Sequence, residues 1–305
     1  MARLATIDIG TNTTLLLLAE SRAGKVQALA ERAEITRLGR GIGADGGLGR
    51  AGIERTLAVL AEYRTIARAH GAAICAVGTE ALRRAPNAQD FLVPAARILG
   101  AEVEVIDGER EAALTFLAAA RSFAEVATGR AAVIDIGGGS TEIIVARAGR
   151  VELRRSLPLG SVRLTEKHIK NDPALATEIA AVEAESARQL AGVALPSPPL
   201  TLVGTAGTVT TLAAMSLGLA SYDPARVHGH RLALAALERE IARLRASTQA
   251  ERERMAGLDP KRADVILAGA CILRQIVVAA RVSEVLVNDR GIRWGLLYER
   301  AGDAA

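Results

Sequence analysis

Residues 131–142 read Ala-Ala-Val-Ile-Asp-Ile-Gly-Gly-Gly-Ser-Thr-Glu, an apolar run closed by an acid, three glycines, two hydroxyls and a second acid. Without Cβ atoms, Gly137, Gly138 and Gly139 let backbone N–H groups converge on an anion. Ser140 and Thr141 add hydroxyls, and Asp135 and Glu142 add the hard oxygen ligands that magnesium prefers. The chemistry on offer is phosphate handling with a divalent cation. A plain β-hairpin with a glycine-rich turn uses the same letters, so the context must decide.

The context repeats. Ile7-Asp8-Ile9-Gly10 falls on Ile134-Asp135-Ile136-Gly137 at an offset of 127, and Thr13-Thr14 falls on Ser140-Thr141. The turn at Gly24-Lys25-Val26 is answered by Gly149-Arg150-Val151, Leu38-Gly39 by Leu159-Gly160, and Val77-Gly78-Thr79 by Val203-Gly204-Thr205. That ladder implies two similar α/β folds, and its offset far exceeds the roughly 20 to 50 residues of a solenoid repeat. Two such domains facing each other would bring both Asp-x-Gly turns to a shared cleft. The expected division is 1–124 and 125–305, with the closing helix at 291–301 open to packing on the N-terminal domain.

The elements that must position these turns follow from pattern. Strands are expected at 74–77, 103–106, 131–136, 200–203 and 283–287. Helices are expected at 52–70, 88–99, 107–124, 172–190, 231–246, 261–281 and 291–300. Arg83 follows the strand at 74–77, where a guanidinium could meet a phosphate or simply face solvent. Glu109 and Glu111 open a helix after a strand, which suits either a dipole partner or a catalytic acid. Gly204, Thr205, Gly207 and Thr208 stand at a strand-to-helix junction, a place that attracts phosphate and that also suits close packing. Gly41, Gly43 and Gly46 spell Gly-x-Gly-x-x-Gly, but no hydrophobic strand precedes them, and a loop is the better reading than a dinucleotide site. His70 and His168 read as solvated. His228 lies in a loop as a candidate without a metal partner.

Composition narrows the classes. The chain has 305 residues, half of them apolar and 24% charged, enough for two folded domains. Aromatic residues make up 2%, leaving few stacking platforms for bases, so nucleic-acid binding is not expected. The formal charge of +4 accommodates an anionic substrate. Cys75 and Cys271 are read as buried thiols of a reducing compartment. No apolar run reaches a membrane span of roughly 20 residues, and no long secretory core follows Met1. The expected location is cytoplasmic.

The ordered segments DIGTNTTLLLL (8–18), VGTEALRRAPN (77–87), DGEREA (107–112), IDIGGGSTE (134–142), LPLGSVRLTE (157–166) and GTAGTVTTLAA (204–214), with the stretch from Lys261, resemble the Ppx/GppA phosphatases. This family of exopolyphosphatases and guanosine pentaphosphate phosphohydrolases belongs to the actin, sugar-kinase and Hsp70 superfamily. The resemblance covers nearly the whole chain, in the short family form. It implies two actin-like (ribonuclease H-like) α/β domains with a central cleft.

The same resemblance implies Glu111 as catalytic base, Asp135 and Glu142 as magnesium ligands and Arg83 as a phosphate contact. It implies phosphate-binding loops at Gly10, Thr11, Asn12 and Thr13 and at 137–141, and a phosphate motif at Gly204 to Thr208. The expected substrate is inorganic polyphosphate, or alternatively pppGpp. An ATP-dependent kinase and a polyphosphate- or nucleotide-binding regulator stay open, and members of this kind often form homodimers. Two positions depart from the family pattern. Arg110 replaces the first Glu of the base motif, which should lower the pKa of Glu111. Trp294 replaces a Glu in the closing motif.

Overall fold

The computed structural model describes residues 2–22, 25–40 and 46–302. Gly24 of the first proposed turn, and Gly41 and Gly43 of the Gly-x-Gly-x-x-Gly segment, lie outside the described residues. The chain divides into two compact units, Met1–Ala118 with Ile292–Ala305, and Ala119–Gly291.

The first unit runs β1 (Ala2–Ile9), β2 (Thr14–Arg22), β3 (Lys25–Glu34), α1 (Arg50–Ala69), β4 (Ala73–Gly78), α2 (Glu80–Arg84), α3 (Gln89–Leu99), β5 (Val103–Val105) and α4 (Gly108–Ser122). Its sheet order is β3-β2-β1-β4-β5, with β1 antiparallel to β2 and parallel to β4. Side chains alternate across a strand, so β1 and β2 serve two cores at once. Ala5, Ile7, Ile9, Leu16 and Leu18 join Leu60, Tyr63 and Phe91 in one cluster. Leu17 and Ala19 join a different one. Covering both faces explains why Leu15 to Ala19 reads as an unbroken apolar run.

The second unit runs α5 (Ala124–Thr128), β6 (Arg130–Ile136), β7 (Thr141–Arg147), β8 (Arg150–Leu157), α6 (Ser161–His168), α7 (Ala176–Leu190), β9 (Thr201–Thr205), α8 (Ala206–Ser216), α9 (Pro224–Val227), β10 (Arg231–Ala233), α10 (Leu234–Arg245), α11 (Gln249–Arg252), a 3-10 turn (Pro260–Arg262), α12 (Ile266–Ala280) and β11 (Glu284–Val287). Its sheet order, β8-β7-β6-β9-β11-β10, repeats that of the first unit with β10 added at the edge. Helix α12 is buried along most of its length, and its Leu, Ile, Val and Ala side chains build a core with almost no aromatic residue.

Helix α13 (Ile292–Gly302) belongs to the first unit. Trp294 and Leu297 pack with Leu17, Ala19 and Ala118, while Ile292 and Leu296 pack with Val77, Ile106 and Leu114.

Several expected boundaries move. The expected helix at 231–246 begins as strand β10, because Arg231-Leu232-Ala233 pairs with β11 and buries only Leu232. The helix expected from 172 starts at Ala176, where Glu178 reaches back to accept the Leu175 N–H. That expected from 261 starts at Ile266, after the turn at Pro260. Helix α6 was not among the expected elements. Both cysteines are free thiols; Cys271 is buried, and burial pushes its pKa to about 12. Cys75 is only half-buried, contrary to expectation, because it lies early in β4 where the strand is still partly open.

Candidate active site

In the second unit the β6–β7 register sets Asp135 directly opposite Glu142 and Ile136 opposite Thr141. Opposed residues project to one face of a sheet with Cβ atoms about 5 Å apart. Both carboxylates are buried, Asp135 at 7% and Glu142 at 2% exposure. Ser156 Oγ donates to Glu142 Oε1 at 2.7 Å. On the other side of Asp135 stands Thr205, its parallel partner on β9, whose buried Oγ1 has no hydrogen-bond partner.

Two buried like charges held side by side repel, and a divalent cation between them relieves that cost. Among the described residues no cluster of three or more His, Cys, Asp or Glu could hold a metal. Magnesium commonly takes only one or two carboxylates, completing its shell with water and substrate phosphate oxygens. Asp135 and Glu142, with the orphaned Thr205 hydroxyl alongside, fit that ion.

The turn between the acids is braced from behind. Gly137 N–H donates to Ser140 O at 3.0 Å, and the Gly138 carbonyl accepts Val162 and Arg163 N–H from the first turn of α6. Arg163 Nε donates to Gly139 O at 2.7 Å. Thr141 Oγ1 donates to the Leu159 carbonyl. Gly204 and Thr205 end β9, and Thr205 N-caps α8 without a side-chain cap bond. Gly207 backs onto Arg262, whose Cζ would lie 2.4 Å from a Cβ there. Arg262, a cation against the first turn of α8, was not among the expected site residues. Its signal was its place in the segment from Lys261 that resembles the family.

The first unit repeats the turn. Gly10 N–H donates to Thr13 O at 3.0 Å, and the carbonyls of Thr11 and Asn12 accept Gly39 and Arg37 N–H at 2.8 and 2.9 Å. Asp8 is opposed by Leu15 and not by an acid. It is buried, and its Oδ1 has no hydrogen-bond partner; neither does Asn12 Nδ2. Burial raises the Asp8 carboxyl from 3.8 to about 7, against the pull of Arg293. Sequence reasoning passed over Asp8 as a site residue, although the repeat laid it on Asp135.

Glu111 occupies the first turn of α4 with 4% of its surface exposed, whereas Glu109 is exposed. Arg83 Nη1 donates to Glu111 Oε1 at 2.5 Å and to Ile106 O at 2.6 Å. The cation beside the expected base is therefore Arg83. Arg110 turns away and binds Glu299 of α13 through two hydrogen bonds of 2.6 Å each. Consecutive helical residues do not face each other, so the Arg110 guanidinium binds Glu299 while that of Arg83 binds Glu111. Trp294 fills a core position, with its indole N–H directed to Glu31 Oε2 at 3.4 Å.

The expected candidates divide between the two units. In the first are Gly10, Thr11, Asn12 and Thr13 of the turn, and Arg83 with Glu111. In the second are residues 135 and 137–142 with Gly204, Thr205, Gly207 and Thr208. His168 is half-buried and 2.5 Å from Glu185, not solvated as expected, because α6 packs it toward α7. His228 stacks on Phe123 with centroids 5.0 Å apart and accepts the Asp289 N–H, a structural use of the ring.

A sheet order built twice, each copy carrying an aspartate to the same glycine turn, defines a duplicated α/β fold. The family is given by comparison: the model of the Ppx/GppA phosphatase family matches residues 17–304, and the chain belongs to that family. It is 34% identical to Exopolyphosphatase 2 of Mycobacterium tuberculosis over 99% of both chains. It is 29% identical to a guanosine-5'-triphosphate,3'-diphosphate pyrophosphatase of Aeromonas salmonicida, over 98% of this chain and 59% of that one. The crystal structure of the Aquifex aeolicus Ppx/GppA family member matches with a TM-score of 0.84 at 35% identity, covering 99% of this chain and 98% of the other.

Proposed function

We propose that the protein is an exopolyphosphatase, releasing the terminal phosphate of inorganic polyphosphate by hydrolysis. The observation that carries this reading is Glu111, a carboxylate buried at the start of a helix and held by Arg83. Buried acids of this kind need a reason, and water activation supplies one. Glu111 accepts a proton from water as the water oxygen attacks the terminal phosphorus, and the bond from that phosphorus to the bridging oxygen breaks, the oxygen leaving with the shortened chain. Arg83 keeps the carboxylate aimed and offers the remaining N–H groups of its fork to phosphoryl oxygens.

The amides of the turns at 10–13 and 137–141, with Gly204 to Thr208, hold phosphates of the chain. Asp8 and Asn12 supply polar atoms that no protein group satisfies. Asp135 and Glu142 would hold magnesium, which when bound supplies positive charge against the anhydride oxygens. Positioning and electrostatics carry most of phosphoryl transfer, so no covalent intermediate is needed. A cytoplasmic location accompanies this reading.

Glu111→Gln tests it. Phosphate release from long-chain polyphosphate is expected to fall by about 10²-fold or more, with folding intact. Unchanged release would remove Glu111 as the base. The second reading, hydrolysis of pppGpp, is favoured by the similarity to the Aeromonas salmonicida enzyme. Side-by-side rates on polyphosphate, pppGpp and ATP, with magnesium and with chelator, separate the two. Tight binding without release would instead indicate a regulator, and phosphoryl transfer from ATP to an acceptor would indicate a kinase.

A further inference from the structure

Helices α4 and α13 touch where Gly295 meets Leu114: a Cβ on Gly295 would lie 2.0 Å from the Leu114 carbonyl oxygen, so only glycine permits the approach. Arg110 lies four residues before Leu114, and Glu299 lies four residues after Gly295. Four residues are one helical turn along the same face. The bidentate Arg110–Glu299 pair is therefore a second fixed point, one turn from the first on both helices, with two bonds of 2.6 Å. That second point falls in the first turn of α4, the turn that carries Glu111.

We infer that Arg110 and Glu299 are positioning residues for the reaction, clamping the first turn of α4 so that Glu111 is held at one rotation and one depth. The inference rests on Glu111 as the base. The end of a helix frays because its first N–H groups lack intrahelical partners. The Asp107 carboxylate, accepting the Arg110 N–H at 2.8 Å, restrains one of those groups from the N-terminal side. A planar fork gripping a carboxylate in two places adds direction as well as charge. Arg110 and Glu299 keep 34% and 26% of their side-chain surface in solvent, so the pair adds little to global stability. Its effect should be read in catalysis, where a displacement of about 1 Å costs about 10²-fold.

The test is a cycle of Arg110→Ala, Glu299→Ala and their double variant, together with the exchanged pair Arg110→Glu/Glu299→Arg. Each single change is expected to lower kcat on polyphosphate by about tenfold, with KM and thermal midpoint nearly unchanged, and the double variant to be no slower than either. The exchanged pair should recover part of the loss. In hydrogen exchange, amides of residues 108–111 should exchange about tenfold faster in both singles.

Singles that keep full kcat, or a double variant whose loss is the product of the two, would overturn the clamp. So would a pH–rate profile whose acid limb moves in Arg110→Ala but not in Glu299→Ala, because that marks direct electrostatic action on the base. A wild-type protein that releases no phosphate from any of the three substrates would sink the proposed function instead. The exchange measurement then decides the clamp alone: faster exchange in both singles upholds it, and unchanged exchange overturns it.

Discussion

The turn after β1 and the turn after β6 share a backbone and differ in their acids. Each closes with a glycine N–H donating to the carbonyl three residues on, Gly10 to Thr13 and Gly137 to Ser140, both at 3.0 Å. Each is approached from behind by a glycine, Gly39 or Gly160. Across from the aspartate, however, the first turn has Leu15 and the second has Glu142. The difference teaches a division of labour: the fold repeats the means of gripping an anion, while the paired carboxylates suited to a divalent ion stand in the second copy alone. The first copy has a lone acid whose environment sets it near neutrality.

Removing that asymmetry should have the largest effect. Glu142→Gln is expected to cut magnesium-dependent phosphate release by about 10² to 10³-fold, since it removes half of the acid pair. In chelator the same variant should melt at a higher temperature than wild type, because one of two buried, opposed charges is gone. The counterpart, Leu15→Glu, should lower the melting temperature by placing a second acid against buried Asp8. A Glu142→Gln enzyme with unchanged magnesium dependence would sink the assignment of the pair.

Letters revealed the turns because the constraint there is local. Gly137, Gly138 and Gly139 follow a strand, and the offset of 127 exposes their copy at Gly10. The repeat of two similar α/β folds was legible from the same offset, whereas the strand order within each sheet was not, because pairing joins strands far apart in the chain. Glu111 was separable from Glu109 only through resemblance, because burial of one and exposure of the other depends on tertiary packing that helix periodicity does not fix. The pairing of Arg110 was hidden for a related reason. Its partner Glu299 lies 189 residues away, and no local pattern links them. Asp8 was in view within the repeat, yet its significance rests on an unsatisfied oxygen that only coordinates reveal.

Asp8 gives the next prediction, with a sign that can be worked out. Burial raises its carboxyl from 3.8 in the unfolded chain to about 7 in the fold. Between those values the folded state holds a proton that the unfolded state has lost, so stability falls as pH rises from 4 to 7 and then levels off. The full difference is about 4 kcal/mol at 1.36 kcal/mol per pKa unit. Asp8→Asn should match wild type near pH 4 and exceed it at pH 8 by up to about 4 kcal/mol in urea unfolding with chelator present. Phosphate release should fall in the same variant, as Asp8 is a lone acid of the first turn. Parallel stability curves for the two proteins across pH 4 to 8 would show that Asp8 is not the buried acid described.

The smallest expected effects test the shared backbone. A Cβ on Gly160 would lie 2.4 Å from Gly138 O and from Gly139 C, the main chain of the turn itself. On Gly39 it would lie 2.5 Å from Thr11 Cγ2 and 3.2 Å from Ala81 Cβ, both side-chain atoms. Main chain held by α6 cannot retreat without moving the phosphate turn, whereas the obstructing methyl of Thr11 can be deleted. Gly160→Ala should therefore cost about 3 kcal/mol and Gly39→Ala about 1 to 2 kcal/mol, within the range for overpacking. Thr11→Ser should rescue most of the Gly39→Ala loss, leaving only the tighter contact with Ala81, and nothing comparable should rescue Gly160→Ala short of changing the turn. Equal costs at the two glycines, or no rescue by Thr11→Ser, would mean that the two turns are braced by different atoms from those named.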